Sequence, residues 1–135
     1  MTSIYDRPQP LRATRLDHVA INVSDLSKSS SFYTLALRLS EGSRSMFKQV
    51  LVGSNFSLHL FQAPEKRPVN SVRDWRNLGI QHLALTVTDD ELERAIDVIR
   101  QLGGETDGPI DDVDGRSLYF RDPDGNVVEL RSQRQ

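Results

Sequence analysis

Leu16-Asp17-His18-Val19-Ala20-Ile21-Asn22-Val23-Ser24-Asp25 and Ile80-Gln81-His82-Leu83-Ala84-Leu85-Thr86-Val87-Thr88-Asp89 are two copies of one ten-residue phrase. His, Ala, Val and Asp stand at identical places in both, and His18 and His82 are 64 positions apart. Successive side chains of a strand leave on opposite faces, so Val19, Ile21 and Val23 point one way and His18, Ala20 and Asn22 the other. A strand that recurs with the same cap behind it is the mark of an internal duplication. A doubled unit that keeps a histidine in each copy brings the two imidazoles to one site.

Outward from the first copy, Ser24-Asp25 is a helix N-cap, and the spacing of Phe32, Leu35 and Ala36 predicts a helix over 26–37. Residues 39–52 read as two strands around a Gly42-Ser43 turn, with Met46, Val50 and Val52 apolar. Residues 57–62 read as another strand, with Leu58 and Leu60 on one face and Ser57, His59 and Phe61 on the other. The pattern then restarts with a strand over 79–88, and Asp89-Asp90 caps a second helix. Leu92, Ala95, Ile96, Ile99 and Leu102 give that helix a continuous apolar stripe, and Gly103-Gly104 ends it. Short strands follow near 105–107, 115–121 and 126–131. The order β-α-β-β-β occurs twice, which predicts an α+β fold of two tandem βαβββ modules in one domain. The divisions are an N-terminal arm over 1–13, a first module over 14–63, a linker over 64–78 and a second module over 79–132.

A second internal match fixes the last strand of each module. Asn55-Phe56-Ser57-Leu58-His59-Leu60 overlays Gly125-Asn126-Val127-Val128-Glu129-Leu130, so His59 corresponds to Glu129. In Asp122-Pro123-Asp124-Gly125, proline suits the first central position of a type I turn and glycine the left-handed position after it. That combination is a three-residue hairpin loop in which Asp122 pairs with Asn126. Counting back places Tyr119 opposite Glu129 on one face.

The chain has 135 residues, enough for a core without staples, with 37% hydrophobic and 27% charged residues. A net charge of −2 leaves no footprint for a polyanion, and Arg7, Arg12 and Arg15 are a solvated arm rather than the start of a basic stripe, so no nucleic acid is expected. No apolar run approaches membrane-spanning length, so no membrane partner is expected and a cytoplasmic location is the default. Trp75, the single tryptophan, is assigned to linker packing or an interface.

There is no cysteine, so a metal can be held only by His, Asp and Glu. All three histidines, His18, His59 and His82, together with Glu129, fall on the strand face opposite the large aliphatics. Their neighbours there are small or polar: Ala20, Asn22, Ser57, Ala84 and Thr86. A sheet that packs its aliphatic face on a helix and leaves such groups on the other lines a cavity. Imidazoles with one carboxylate suit one divalent ion per site: zinc, nickel, manganese or iron(II). The pattern leaves open whether His59 is a fourth ligand or stands behind the ligands.

The two doubled strands, the Leu58-His59-Leu60-Phe61 strand and Leu118-Tyr119-Phe120-Arg121-Asp122-Pro123-Asp124-Gly125 through Leu130 closely resemble the vicinal oxygen chelate superfamily. That superfamily includes glyoxalase I, fosfomycin-resistance proteins, methylmalonyl-CoA epimerase and extradiol dioxygenases, and the resemblance covers about residues 15–132. It implies an open barrel of two βαβββ modules around a metal, with His18, His82 and Glu129 at the usual ligand positions. His59 falls where glyoxalases place a glutamate and the epimerases a glutamine. The histidine that extradiol enzymes place six to eight residues before Leu118 is replaced here by Ile110, Asp111 and Asp112. The basic residue that fosfomycin proteins carry downstream is also absent.

The function expected from the resemblance is a metal-dependent lyase or isomerase of glyoxalase type, acting on a small oxygenated substrate chelated through two oxygens. Glu129 is the candidate general base, and Tyr119 the donor to an enediolate-like oxyanion. An iron(II) dioxygenase of extradiol type and a non-catalytic ligand-sequestering protein of bleomycin-resistance type are the alternatives. A homodimer is expected, although swapped dimers and single-chain barrels arise from the same repeat.

Overall fold

Each module folds by wrapping one strongly twisted sheet over one helix, and the computed structural model describes residues 7–67, 76 and 78–133 in these terms. The first module runs β1 (His18–Val23), α1 (Leu26–Leu37), β2 (Ser40–Arg44), β3 (Lys48–Val52) and β4 (Ser57–Gln62). The second runs β5 (Leu83–Thr86), α2 (Asp89–Gln101), β6 (Thr106–Asp111), β7 (Gly115–Arg121) and β8 (Val127–Gln133). The strand orders are β1-β4-β3-β2 and β5-β8-β7-β6, the same topology twice, in two separate four-stranded sheets. The first strand of each module pairs in parallel with its last, and the remaining pairs are antiparallel. The α+β class and the doubled βαβββ order are as the sequence predicts. No helix among the described residues is long and apolar enough to cross a membrane.

The cores follow the alternation. Val23, Leu51, Leu58 and Leu60 are buried on the helix side of the first sheet, and Leu118, Phe120, Val128 and Leu130 on that of the second. Phe32 of α1 packs against Phe120 of β7 at 5.9 Å between centroids, so the two cores form one apolar cluster. Asp25 caps α1 by accepting from the Lys28 N–H. Gly103, at φ 79°, closes α2 in the left-handed position that a side chain would disfavour.

Local expectations needed correction at several points. Gly42 and Ser43 lie inside β2, and the chain reverses at 45–47 instead. The buried Gln49 side chain donates to the carbonyls of Gly42, Ser43 and Val50 and so holds an irregularity in β2 that resembles a turn in sequence. Leu35, assigned to the apolar face of α1, is exposed, and Ser29, Ser30 and Tyr33 are buried in the helix instead. Thr88, not Asp89-Asp90, is the N-cap of α2; its hydroxyl accepts from the Glu91 N–H. Strand β5 begins at Leu83, later than residue 79, and β6 extends to Asp111 past Pro109, which an edge strand tolerates. Trp75 lies outside the described residues.

The hairpin after β7 is more than a turn. Asp122 N–H donates to Asn126 O at 2.9 Å, Gly125 N–H to Asp122 O at 3.0 Å, and Gly125 has φ 94°, so the three-residue loop forms as read. The Asp122 side chain, buried at 5% exposure, accepts from the Asp124 and Asn126 N–H groups, from Asn126 Nδ2 and from the Tyr33 hydroxyl at 2.7 Å. Asp124 accepts from both the N–H and the hydroxyl of Ser24. The loop of the second module is therefore bolted onto the start and middle of the first module's helix unit.

Candidate metal centre

The register places the chemistry. In the second sheet, Tyr119 pairs with Glu129 and Ala84 with Glu129, so these three side chains leave on one face. His82, just before β5, reaches the same carboxylate, with Nε2 2.9 Å from Glu129 Oε1. Both side chains are largely covered, at 22% and 12% exposure. The Tyr119 ring meets the His82 ring edge-on at 5.5 Å between centroids. The predicted register of Tyr119 is therefore the observed one.

In the first sheet, Ala20 pairs with His59 and His18 with Ser57, which puts both histidines on one face across the β1–β4 pair. Their rings stack, with centroids 3.8 Å apart and planes within 7°. An imidazole donates its lone pair in the plane of its ring, and parallel planes share no point. In this arrangement the two cannot ligate one ion together. Burial, with the positive potential of His18 and Lys48 added, holds the His59 imidazole below its ordinary value, while Asp17 opposes the shift.

The two repeat histidines share a support that the sequence reading passed over. His18 Nδ1 lies 2.8 Å from Asp17 Oδ2, and His82 Nδ1 lies 3.0 Å from Gln81 Oε1. In both copies the residue before the histidine fixes Nδ1 and presents Nε2 to the concave face, the arrangement that orients metal-binding imidazoles. The signal was there in the repeat: Asp17 and Gln81 both carry an acceptor oxygen at the same place.

The His82–Glu129 pair suits a divalent ion. Two donors held about 2.0–2.2 Å from one ion and at right angles to each other stand about 3 Å apart, close to the observed 2.9 Å. Nitrogen and carboxylate oxygen without sulfur are the donor set of zinc, nickel, manganese or iron(II). The four predicted ligands occupy two places, His82 with Glu129 on one module and His18 with His59 on the other. No cluster of three or more metal-ligating side chains forms among the described residues of one chain.

Next to Glu129 on the same face of β8 lies Arg131, which the sequence reading did not single out. Its Nη1 donates to Asp112 Oδ2 at 2.9 Å and to Ser117 Oγ at 2.7 Å, and its Nη2 to Asp112 Oδ1 at 2.8 Å. Asp112 also accepts from the N–H groups of Asp114 and Gly115. The Arg131 guanidinium first, and those backbone donors after it, hold the Asp112 carboxyl down to about 2. The residue standing where an extradiol enzyme carries its acid/base histidine is therefore a fixed anion at neutral pH.

Comparison with known proteins agrees with this geometry. The family model of the Glyoxalase/Bleomycin resistance protein/Dioxygenase superfamily matches residues 15–130. The chain is 30% identical over 123 residues to a metallothiol transferase FosB of Lysinibacillus sphaericus, covering 87% of this chain and 81% of that protein. It is 29% identical to Glyoxylase I 4 of Arabidopsis thaliana, covering 93% and 74%. Among solved structures, the fosfomycin resistance protein FosX of Listeria monocytogenes superposes with a TM-score of 0.74 at 21% identity, covering 91% and 96%. The chain belongs to the glyoxalase/bleomycin resistance protein/dioxygenase superfamily.

Proposed function

We propose that the protein is a metal-dependent enzyme of glyoxalase type, a lyase or isomerase, acting on a small substrate with two neighbouring oxygens. The observation that carries this is the convergence of His82 Nε2 and Glu129 Oε1, with Nδ1 of both repeat histidines already held by the preceding residue. His18, His82 and Glu129 would hold the ion. Since one chain keeps His18 apart from the other two, a homodimer supplies the complete set, the concave face of the first module in one copy closing over that of the second module in another. Ala20, Asn22, Ala84 and Thr86 on those faces are exposed in the single chain, which leaves both faces free to be covered. A structure of FosX holding Mn(II) and 1S,2S-dihydroxypropylphosphonic acid shows that this fold accommodates such a pair.

The ion, when bound, supplies Lewis acidity toward a substrate oxygen. The residues of the chain do the rest. Glu129 is placed to accept a proton from carbon, and the Tyr119 hydroxyl to donate to the oxygen on which charge develops. His59, stacked on His18, positions that ring and walls the cavity. Ring cleavage of extradiol type is disfavoured because Asp112, clamped by Arg131, has no proton to exchange near neutral pH.

The test is elemental analysis of untagged protein purified without chelator, followed by titration with zinc, nickel, manganese and anaerobic iron(II). About one ion per complete site is expected. Conversion of methylglyoxal hemithioacetals should then exceed oxygen-dependent cleavage of catechols. Absence of any bound or titratable metal would sink the proposal, and robust catechol cleavage by the iron(II) form would move it to the dioxygenases.

A further inference from the structure

The concave face of the second sheet is a grid in which rows are fixed by register. One row holds Ala84, Glu129 and Tyr119; the adjacent row holds Thr86, Arg131 and Ser117. Two residues along a strand separate the rows by about 6.5–7 Å. Arg131 is thus the cation next to the Glu129 carboxylate, whose charge it feels after that of Asp112.

A guanidinium has five N–H donors in one plane, arranged as two forks and a single outer hydrogen. Here the end-on fork, one hydrogen each of Nη1 and Nη2, grips Asp112, and the outer Nη1 hydrogen goes to Ser117. That leaves the side-on fork, Nε–H and the second Nη2 hydrogen, without a partner among the described residues. Asp112 does not turn to fill it, because its Oδ1 is tied to the N–H groups of Asp114 and Gly115 at 2.8 and 2.9 Å. Asp112 and Ser117 therefore act as a mount that immobilises the guanidinium and leaves one bidentate edge open. Such an edge matches the two oxygens of a carboxylate.

Resting on His82 and Glu129 as metal ligands, we infer that Arg131 forms a carboxylate-binding subsite beside the metal centre, so the substrate carries a carboxylate about two carbons beyond its chelating oxygens. The class is a carboxylate rather than a phosphonate, since Asp112 already offsets the guanidinium charge and a dianion would meet too little positive charge.

Hydroxamates test this directly, because their head chelates a metal through two neighbouring oxygens. Calorimetry on the zinc-loaded full-length protein would compare succinic monohydroxamic acid with butyrohydroxamic acid, which has a tail of the same length and no charge. A third arm uses 3-phosphonopropionohydroxamic acid. The carboxylate tail should tighten binding about tenfold or more, as a charge-assisted bidentate contact does. Arg131→Met should close the gap, Arg131→Lys should lose most of it by losing the fork, and Asp112→Asn should keep or widen it. Butyrohydroxamate affinity and zinc content should stay the same in all of them. A wild type without the gap, or a gap surviving in Arg131→Met, would overturn the subsite. Equal closure by Arg131→Met and Asp112→Asn would reduce the pair to a hairpin clamp and overturn it too. Tighter binding of the phosphonate tail would overturn the carboxylate assignment. Failure to take up zinc at all would instead overturn the metal reading on which the subsite stands.

Discussion

The two modules carry one strand order and one histidine apiece at the same place, yet their concave faces are differently equipped. Across β5–β8, an imidazole and a carboxylate converge to 2.9 Å, with Tyr119 beside them and Arg131 one row away. Across β1–β4, two imidazoles lie flat on each other at 3.8 Å, and the nearest cation, Lys48, sits over the Phe61 ring at 5.2 Å. The loops differ as well. The second module's β7–β8 hairpin has three loop residues, opened by Asp122. The first module's β3–β4 hairpin has two, opened by Gly53, whose N–H bonds Phe56 O at 2.8 Å with no side chain to reach elsewhere. Duplication preserved the frame and let one half become the charge-bearing half, with the other supplying a histidine and a wall.

The largest asymmetry should appear in stability. Asp122→Ala removes one buried carboxylate and strands the Tyr33 hydroxyl, which has no exposure, together with backbone donors. Leaving buried donors unsatisfied costs about 1–3 kcal/mol per group, so a loss of about 3 kcal/mol or more is expected in urea unfolding. A loss below about 1 kcal/mol would show that the loop is only a turn and that the two hairpins are equivalent after all.

Metal affinity should separate the halves next. Glu129→Ala and His82→Ala should each weaken binding at least tenfold, and His18→Ala likewise, consistent with the loss of a ligand. His59→Ala, altering the repeat counterpart of Glu129, should change affinity less, because its ring is stacked and not aimed at the same point as His18. Equal losses for His59 and Glu129 would mean that the stack opens on metal binding and that the halves are symmetric in chemistry.

Much of the frame was legible in the sequence because strand alternation and helix caps are local. The Asp122–Asn126 register was readable for the same reason: proline and glycine each fit one position of that loop, and the count along the strands follows. The Gly42-Ser43 error had the opposite origin. Glycine there relieves contact with Val50, whose side chain would lie 3.2 Å from an added Cβ, and the bulge is held by Gln49, five or more residues away. The stacking of His18 on His59 depends on parallel pairing of β1 with β4, strands that are 38 or more residues apart. Asp122 looked complete as a turn residue, so nothing local pointed to Tyr33. Arg131 was missed because an arginine at a strand end has a solvated default, and only the β6–β7 loop reveals its mount.

A smaller effect concerns turnover. Tyr119→Phe deletes a hydroxyl on the face of Glu129 and leaves the ring against His82, so metal content and stability should hold while turnover falls about tenfold. Val50, which pairs with His59 as Tyr119 pairs with Glu129, is the matched position in the other half. Val50→Thr should leave turnover intact. Equal effects at the two positions would argue that both faces touch the reacting oxygen.

The subtlest difference is between the two tyrosines. Burial first, and then the negative charge of Asp122, push the Tyr33 phenol well above its ordinary value. Its hydroxyl donates to Asp122, so losing the proton would set two anions against each other in a site without water access. A phenol whose folded value is raised holds its proton longer in the native state than in the unfolded chain. The stability it confers is therefore complete below about pH 10, the unfolded value, and is lost as pH rises beyond it. Ultraviolet titration should show Tyr33 ionising only with unfolding at alkaline pH. In Asp122→Asn the charge is gone while the amide oxygen still accepts, so Tyr33 should ionise at lower pH than in the wild type. An unchanged Tyr33 titration in that variant would show burial alone to be responsible and the carboxylate at the loop to be neutralised by its other donors.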